Sequence, residues 1–169
     1  MANQNFTLTK EDLHDLFDYK DGNLYWKISK GTAKVNKIAG TLDGAGYYQI
    51  QINKKLYRTH RLIFLYHHNY LPEFIDHING IKTDNKIENL RPATKSQNLF
   101  NSKLSKLNKV NCKGVSWDKD CKKWRVRVTV DGKPKCFGFY NDIDYAKFVA
   151  NAMRYKYHKE FANNGASKC

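Results

Sequence analysis

Ile75-Asp76-His77-Ile78-Asn79-Gly80 is followed by Asp84-Asn85, by Ile87-Glu88-Asn89-Leu90-Arg91, by Ala93-Thr94 and by Gln97-Asn98. A carboxylate, an imidazole and several carboxamides share one short segment, between the apolar anchors Ile78, Ile81, Ile87 and Leu90. Few of these polar side chains suit a core. They suit a hard cation and a water. Magnesium takes oxygen ligands in octahedral geometry, keeps several waters, and is held by one or two protein groups plus substrate phosphate. Asp76 offers a charged oxygen and Asn98 a carboxamide oxygen. His77 is of the residue type that exchanges a proton near neutral pH. One ion on Asp76 and Asn98 would neutralise charge developing on a leaving oxygen, while His77 activates a water for attack on phosphorus. Taken singly, each residue also has a plain reading: Asn79-Gly80 is a common turn, and Asn85 or Asn89 can simply bond loop backbone.

The charge of the whole chain supplies a substrate for that chemistry. Of 169 residues, 30 are Lys or Arg and 16 Asp or Glu, a net charge of +14 that predicts binding to a polyanion, most often nucleic acid. The length suits one large domain or two small ones. Cys112, Cys121, Cys136 and Cys169 form no CxxC pair, which argues against structural zinc. The first residues, Met1 to Asn5, carry no apolar signal core, and no apolar run approaches membrane-spanning length. The expectation is a cytoplasmic protein with reduced thiols and no membrane partner.

Upstream of the polar segment, Thr9 with Asp12 resembles a capping box opening a helix with Leu13, Leu16 and Phe17 on one face. Asp21-Gly22 predicts a hairpin turn before a strand over 24–28, and residues 29–37 read as a loop. Strands are predicted at 47–52 and 56–58 around Asn53-Lys54-Lys55. A helix is predicted from His60 to His68, stopped by Leu71-Pro72, and a short helix begins near Thr94. His60 is read chiefly as a buried hydrogen-bonding histidine, with phosphate contact or support of the site as the alternative. His67 and His68 are read as structural or surface residues.

Downstream, Arg91 to Lys113 holds no acidic residue but contains Arg91, Lys95, Lys103, Lys106, Lys109 and Lys113. Residues 102–111 read as a basic linker, either tracking a phosphate backbone or merely solvated. Composition then turns to β. Strands are predicted at 113–117, 123–130 and 135–140, with Asp131-Gly132 as a hairpin turn. A helix follows from a cap at Asp142 or Asp144 to about Tyr157, its apolar side Ala146, Val149, Ala150, Met153 and Tyr157. Along 124–130, Trp124, Val126, Val128 and Val130 alternate with Arg125, Arg127 and Thr129, so one face packs on the helix and the other displays arginines, with no acid expected there. Such a face can enter a major groove, where Arg bonds guanine; a solvated sheet face is the plain alternative.

In order and spacing, Asp76 to Gly80, Asp84-Asn85, Ile87 to Arg91, Ala93-Thr94 and Gln97-Asn98 resemble the His-Asn-His (HNH) endonuclease motif of phage and intron homing endonucleases. Tyr57 to Leu62 and Leu71-Pro72 add to a likeness that covers about residues 10–102. The resemblance implies a ββα-metal fold, two short strands and a helix around one divalent ion, Mg²⁺ or Mn²⁺. It implies metal ligands at Asp76 and Asn98, His77 as general base, and Asn89 as the central Asn of the motif, bracing the loop and orienting the histidine. The third signature position, often His, is Asn98 here. Separately, Lys113-Gly114-Val115, Lys123-Trp124, Phe137-Gly138 and the helix before His158-Lys159-Glu160-Phe161-Ala162 resemble the plant ethylene-response-factor DNA-binding domain, over about 112–163. That likeness implies DNA contacts from Lys113, Arg125, Arg127 and Thr129, to which Lys135 and Arg61 are added. Ser116 and Asp118 stand at positions that are often basic in that family.

The fold class expected is therefore α+β: an HNH nuclease domain at 1–101, a basic linker at 102–111, and at 112–169 a three-stranded antiparallel sheet packed on one helix. The function expected is metal-dependent cleavage of double-stranded DNA by a site-directed homing-type enzyme, nicking as a monomer or cutting both strands as a dimer. The rivals are a non-catalytic DNA-binding regulator and an RNA-directed protein; the latter lacks a single-strand stacking signature.

Overall fold

The computed structural model describes residues 8–164 apart from 30, 32 and 106. The expectations for the N-terminal pentapeptide, for Lys106 and for Cys169 lie outside the described residues. The chain mixes helix and sheet and divides into two compact units, Met1–Ala93 and Thr94–Cys169.

The first unit opens with α1, Lys10–Leu16, started by the anticipated capping box. Thr9 Oγ1 accepts from the Asp12 amide at 3.1 Å and the Asp12 carboxylate accepts from the Thr9 amide at 2.8 Å. Phe17 was expected on the helix face but begins a strand. β1, Phe17–Lys20, pairs antiparallel with β2, Asn23–Trp26, across Asp21-Gly22, both at positive φ (47° and 79°). The turn sets this pairing: two left-handed residues match the twist of the strands they join. β3 (Thr41–Leu42), β4 (Tyr48–Ile52) and β5 (Lys55–Arg58) form a second antiparallel sheet in that order. α2, Thr59–His67, buries Leu62, Ile63 and Phe64 and ends at His68, well before Pro72. β6, Phe74–His77, then pairs antiparallel with β7, Leu90–Ala93. Leu13, Phe17, Leu24, Ile50, Ile63 and Phe64 are essentially inaccessible and belong to one cluster with Ile75 and Leu90, so the apolar ends of β6 and β7 are anchored in this core. Each such side chain contributes about 1.5–3 kcal/mol by leaving water.

The second unit begins with α3, Lys95–Phe100. Its N-cap Thr94 forms a capping box with Gln97. β8 (Val115–Asp118), β9 (Lys123–Val130) and β10 (Lys133–Tyr140) make one antiparallel sheet with β9 in the centre. Asp131-Gly132 turns β9 into β10 at φ 50° and 76°. α4, Ile143–His158, is capped by the Asp142 carboxylate on the Tyr145 amide at 2.6 Å. Val126 and Val128 pack with Ala146 and Ala150; these small alanines admit a close approach of helix to sheet. Gly114 is needed where β8 begins, because a Cβ there would lie 2.6 Å from the Arg127 carbonyl oxygen.

The stretch after α3 is tied down at both ends. The Lys113 ammonium donates to the carbonyls of Phe100 and Ser102. The buried Arg154 guanidinium donates to the Phe100 carbonyl (3.2 Å), the Asn163 carbonyl (3.0 Å) and Asn164 Oδ1 (3.0 Å). Asn163 donates to the Asn101 carbonyl at 2.9 Å, and the Phe100 ring stacks on His158 at 3.6 Å. Two cations thus converge on the Phe100 carbonyl, which the end of α3 leaves without a helical partner. Helix α3, expected within a nuclease half ending at 101, has these contacts inside the second unit.

Candidate active site

The β6–β7 hairpin builds the site by register. Asp76 lies opposite Arg91, and His77 opposite Leu90. Directly opposed side chains of an antiparallel pair lie within reach of each other. Arg91 uses this to donate from Nε (2.9 Å) and Nη2 (2.8 Å) to Asp76 Oδ2. Asp76 is buried and Arg91 nearly so. A buried carboxylate persists only with charge-assisted partners, and this one has a guanidinium. In the sequence Arg91 is one more basic residue of the downstream stretch, and only the strand register pairs it with Asp76.

His77 closes β6 and is buried. Its Nε2 lies 3.0 Å from Oδ1 of Asn85, itself buried. The His77 ring sits against His60, with centroids 5.1 Å apart and planes at 71°, and beside Tyr47 at 6.1 Å. His60 was expected to be a buried histidine or a support of the site, and it is both buried and in contact with His77. Burial, then the neighbouring His77, Arg61 and Arg58, lowers its pKa to about 3, so it is neutral at physiological pH. Tyr47 carries Arg58 over its ring at 4.9 Å and Lys82 at 4.6 Å. These are cations beside the histidine pair.

The loop from Ile78 to Asn89 is closed by Asn89. Its Nδ2 donates to the Asp84 carbonyl (2.7 Å) and to Asn79 Oδ1 (3.1 Å), and its Oδ1 accepts from the Asn79 amide (3.0 Å). The backbone adds Ile78 N–H to the Asn89 carbonyl at 2.9 Å. Asn89 therefore holds the loop's main chain, while the side chain bonded to the imidazole is that of Asn85. Asn85 had been given only a loop-backbone reading; no local signal in the sequence separates it from Asn79 or Asn89.

Asn98 lies on α3, exposed, in the second unit. Among the described residues no group of three or more His, Cys, Asp or Glu side chains could hold a metal ion. The donors present are nonetheless those of a hard cation. An ion that takes most of its ligands from water and phosphate needs few from protein.

The expected DNA contacts fare differently. Arg127 and Lys135 are exposed, and Thr129 is half-buried with its carbonyl accepting from His158 Nε2 at 2.7 Å. Arg125 is paired with Asp118 at 3.1 Å, which corrects the expectation of a sheet face without an acid. The Lys113 ammonium is engaged inside the unit, where burial and then Arg154 lower its pKa to about 8. Arg61 donates to the Glu73 carbonyl at 3.0 Å, at the entrance to β6.

No helix among the described residues is long and apolar enough to cross a membrane. No solved structure matches the chain. The family model described as HNH endonuclease matches residues 57–99, which run from the end of β5 through α2, the β6–β7 hairpin and most of α3. Protein 3.8 of Escherichia phage T7 is 34% identical over 89 residues, covering 53% of this chain and 73% of that protein. With His77, Asp76 and the Asn89-braced loop all inside the matched stretch, the chain belongs to the HNH endonuclease family.

Proposed function

We propose that the chain hydrolyses phosphodiester bonds of double-stranded DNA as a metal-dependent, site-directed homing-type endonuclease. The observation that carries this reading is the buried His77, bonded to Asn85 and adjacent in sequence to the carboxylate of Asp76, within the segment that matches the HNH endonuclease family. His77 takes a proton from a water. The water oxygen forms a bond to phosphorus in line with the departing oxygen, and the P–O bond opposite breaks. A divalent ion, Mg²⁺ or Mn²⁺, supplies Lewis-acid stabilisation of the charge on the leaving oxygen when bound. In this reading its protein oxygens come from Asp76 and Asn98, in the ββα-metal manner, and Asn89 braces the loop that carries the histidine.

The second unit is proposed as the reader, in the manner of the ethylene-response-factor domain. Its support is the exposed Arg127 and Lys135, with Arg125 and Thr129 on the central strand and the apolar residues of that strand packed on α4. The domain division of nuclease at 1–101, linker at 102–111 and reader at 112–169 belongs to this proposal. So do a cytoplasmic location, nicking as a monomer on DNA, and cleavage of both strands by a dimer.

The Arg91 guanidinium on Asp76 favours one rival, a non-catalytic DNA-binding protein whose carboxylate is already neutralised. Incubation of the full chain with its source genome and with supercoiled plasmid, with Mg²⁺ or with chelator, separates the two. Endonuclease action predicts metal-dependent breaks at mapped positions. It also predicts that His77→Ala abolishes them while DNA affinity holds. Cleavage by His77→Ala at the wild-type rate would show the base assignment to be wrong, and no cleavage by the wild type would favour the rival.

A further inference from the structure

We propose that Asn85 is the positioning residue of the active-site histidine: its carboxamide oxygen takes the Nε2 proton of His77, which makes Nδ1 the base nitrogen and fixes the ring. The inference rests on His77 being the base. A neutral imidazole carries one N–H, so the nitrogen that donates to an oxygen determines which nitrogen can accept a proton. Asn85 Oδ1 lies 3.0 Å from Nε2, and both side chains are buried, so water does not compete for this bond. A single hydrogen bond leaves a ring free to swing about it. Here the His60 and Tyr47 rings bound the imidazole, and the three contacts together define its plane.

Asn85 can act this way because its own backbone is held from two sides. On one side Asn89 Nδ2 grips the Asp84 carbonyl, the Asp84 carboxylate accepts from Asn79 Nδ2 at 2.7 Å, and the Asn89 amide donates to the Lys86 carbonyl at 2.9 Å. On the other side the β1–β2 turn presses on it. A Cβ at Gly22 would lie 2.7 Å from the Lys86 nitrogen and 3.0 Å from the Asn85 carbonyl carbon, and Tyr19 Oη accepts from the Ile87 amide at 3.0 Å. Only glycine allows this approach. Asn89 thus acts one step removed, through the backbone of the Asp84–Lys86 segment, and Asn85 makes the contact.

The test combines ¹⁵N-histidine NMR of the full chain with cleavage kinetics. The His77 signals are assigned by their loss in His77→Gln. The wild type should show neutral His77 protonated on Nε2; protonation on Nδ1 would overturn the proposal. Asn85→Leu removes the acceptor at similar volume. It should lower kcat about 10²-fold, the scale of an ångström-level misplacement, with KM for DNA within about twofold. Asn85→Asp restores an oxygen at the same place and should recover kcat to within about tenfold while keeping the Nε2–H form. If Asn85→Leu cleaves as the wild type does while His77→Ala is dead, Asn85 has no positioning role although the base assignment stands. If Asn85→Leu does not fold, the wild-type tautomer and the Asn85→Asp rescue still decide.

Discussion

Replacing Arg91 with Met should destabilise the first unit more than any surface change of similar size. Arg91 donates twice to Asp76 Oδ2, at 2.9 and 2.8 Å, and its side chain is 15% exposed against 4% for Asp76. Charge-assisted hydrogen bonds contribute about 1.5–3 kcal/mol each. Breaking a buried ion pair from one side costs about 3–5 kcal/mol, because the remaining charge is stranded. The partial exposure of Arg91 favours the lower end, about 3 kcal/mol, a large share of the roughly 5–15 kcal/mol that holds a domain folded. For a unit of this size that corresponds to a loss of about 12–24 °C in Tm. The assay is pulsed amide exchange across a urea titration with chelator present, reading peptides of 74–93 separately from those of 123–158. Only the first set should shift. Combining Asp76→Asn with Arg91→Met removes the stranded charge and should recover most of the loss. Wild-type stability of Arg91→Met, within about 0.5 kcal/mol, would refute the argument that this pair is buried and matched.

His60 makes the first unit acid-sensitive. Its folded pKa of about 3 lies below the ordinary 6.5, so its contribution is fully present above pH 6.5. It is lost as pH falls toward 3, at up to about 1.4 kcal/mol per pH unit; urea titrations from pH 7 to 4 should show a flatter profile for His60→Gln. Asp118→Asn should release Arg125 for phosphate or base contact. Fluorescence anisotropy across a salt series should then show tighter DNA binding and a steeper salt slope, by about one ion, whereas the paired change of Arg125 and Arg127 to Ala should weaken binding and flatten the slope. Arg154→Leu deletes three hydrogen bonds, one to Phe100 at the end of α3 and two to Asn163 and Asn164. Amides of 95–102 should lose protection while those of β9 and β10 keep theirs; equal loss in both would mean that Arg154 supports the whole unit.

The sequence was most legible where the structure is local. The Thr9–Asp12 capping box and the start of α3 after Thr94 are local, and three hairpin turns, at Asp21-Gly22, Asn53-Lys54 and Asp131-Gly132, each open with an Asp or Asn, which tolerates positive φ. Strict alternation over 123–130 gave the bounds of β9 directly. Elements stabilised by distant partners were not legible. β1 has only Phe17 and Tyr19 as apolar residues and looks like the end of α1 until β2 pairs with it. Residues 102–111 have the composition of a connector, yet the chain at their edges is fixed by Lys113, Arg154 and Asn163, and Arg154 lies 54 residues from its Phe100 partner.

The active site divides along the same line. The candidates Asp76, His77, Asn85 and Asn89 stand out in the sequence, because Asp, His and Asn are costly to bury and crowd into one short segment. The partnerships among them do not, since they follow from register. With Asp76 opposite Arg91, the carboxylate meets a guanidinium and His77 lies opposite the apolar Leu90. A slip of one residue would set Asp76 against Leu90 or Pro92 and turn every side chain of one strand to the other face. That register is secured by Ile75 and Leu90, which belong to the core, and by the Asn89 bonds that fix how the loop closes. Substituting Ile75 or Leu90 with polar residues should therefore damage cleavage through the Asp76–Arg91 and His77–Asn85 pairs. Neither apolar residue has any chemistry of its own to lose.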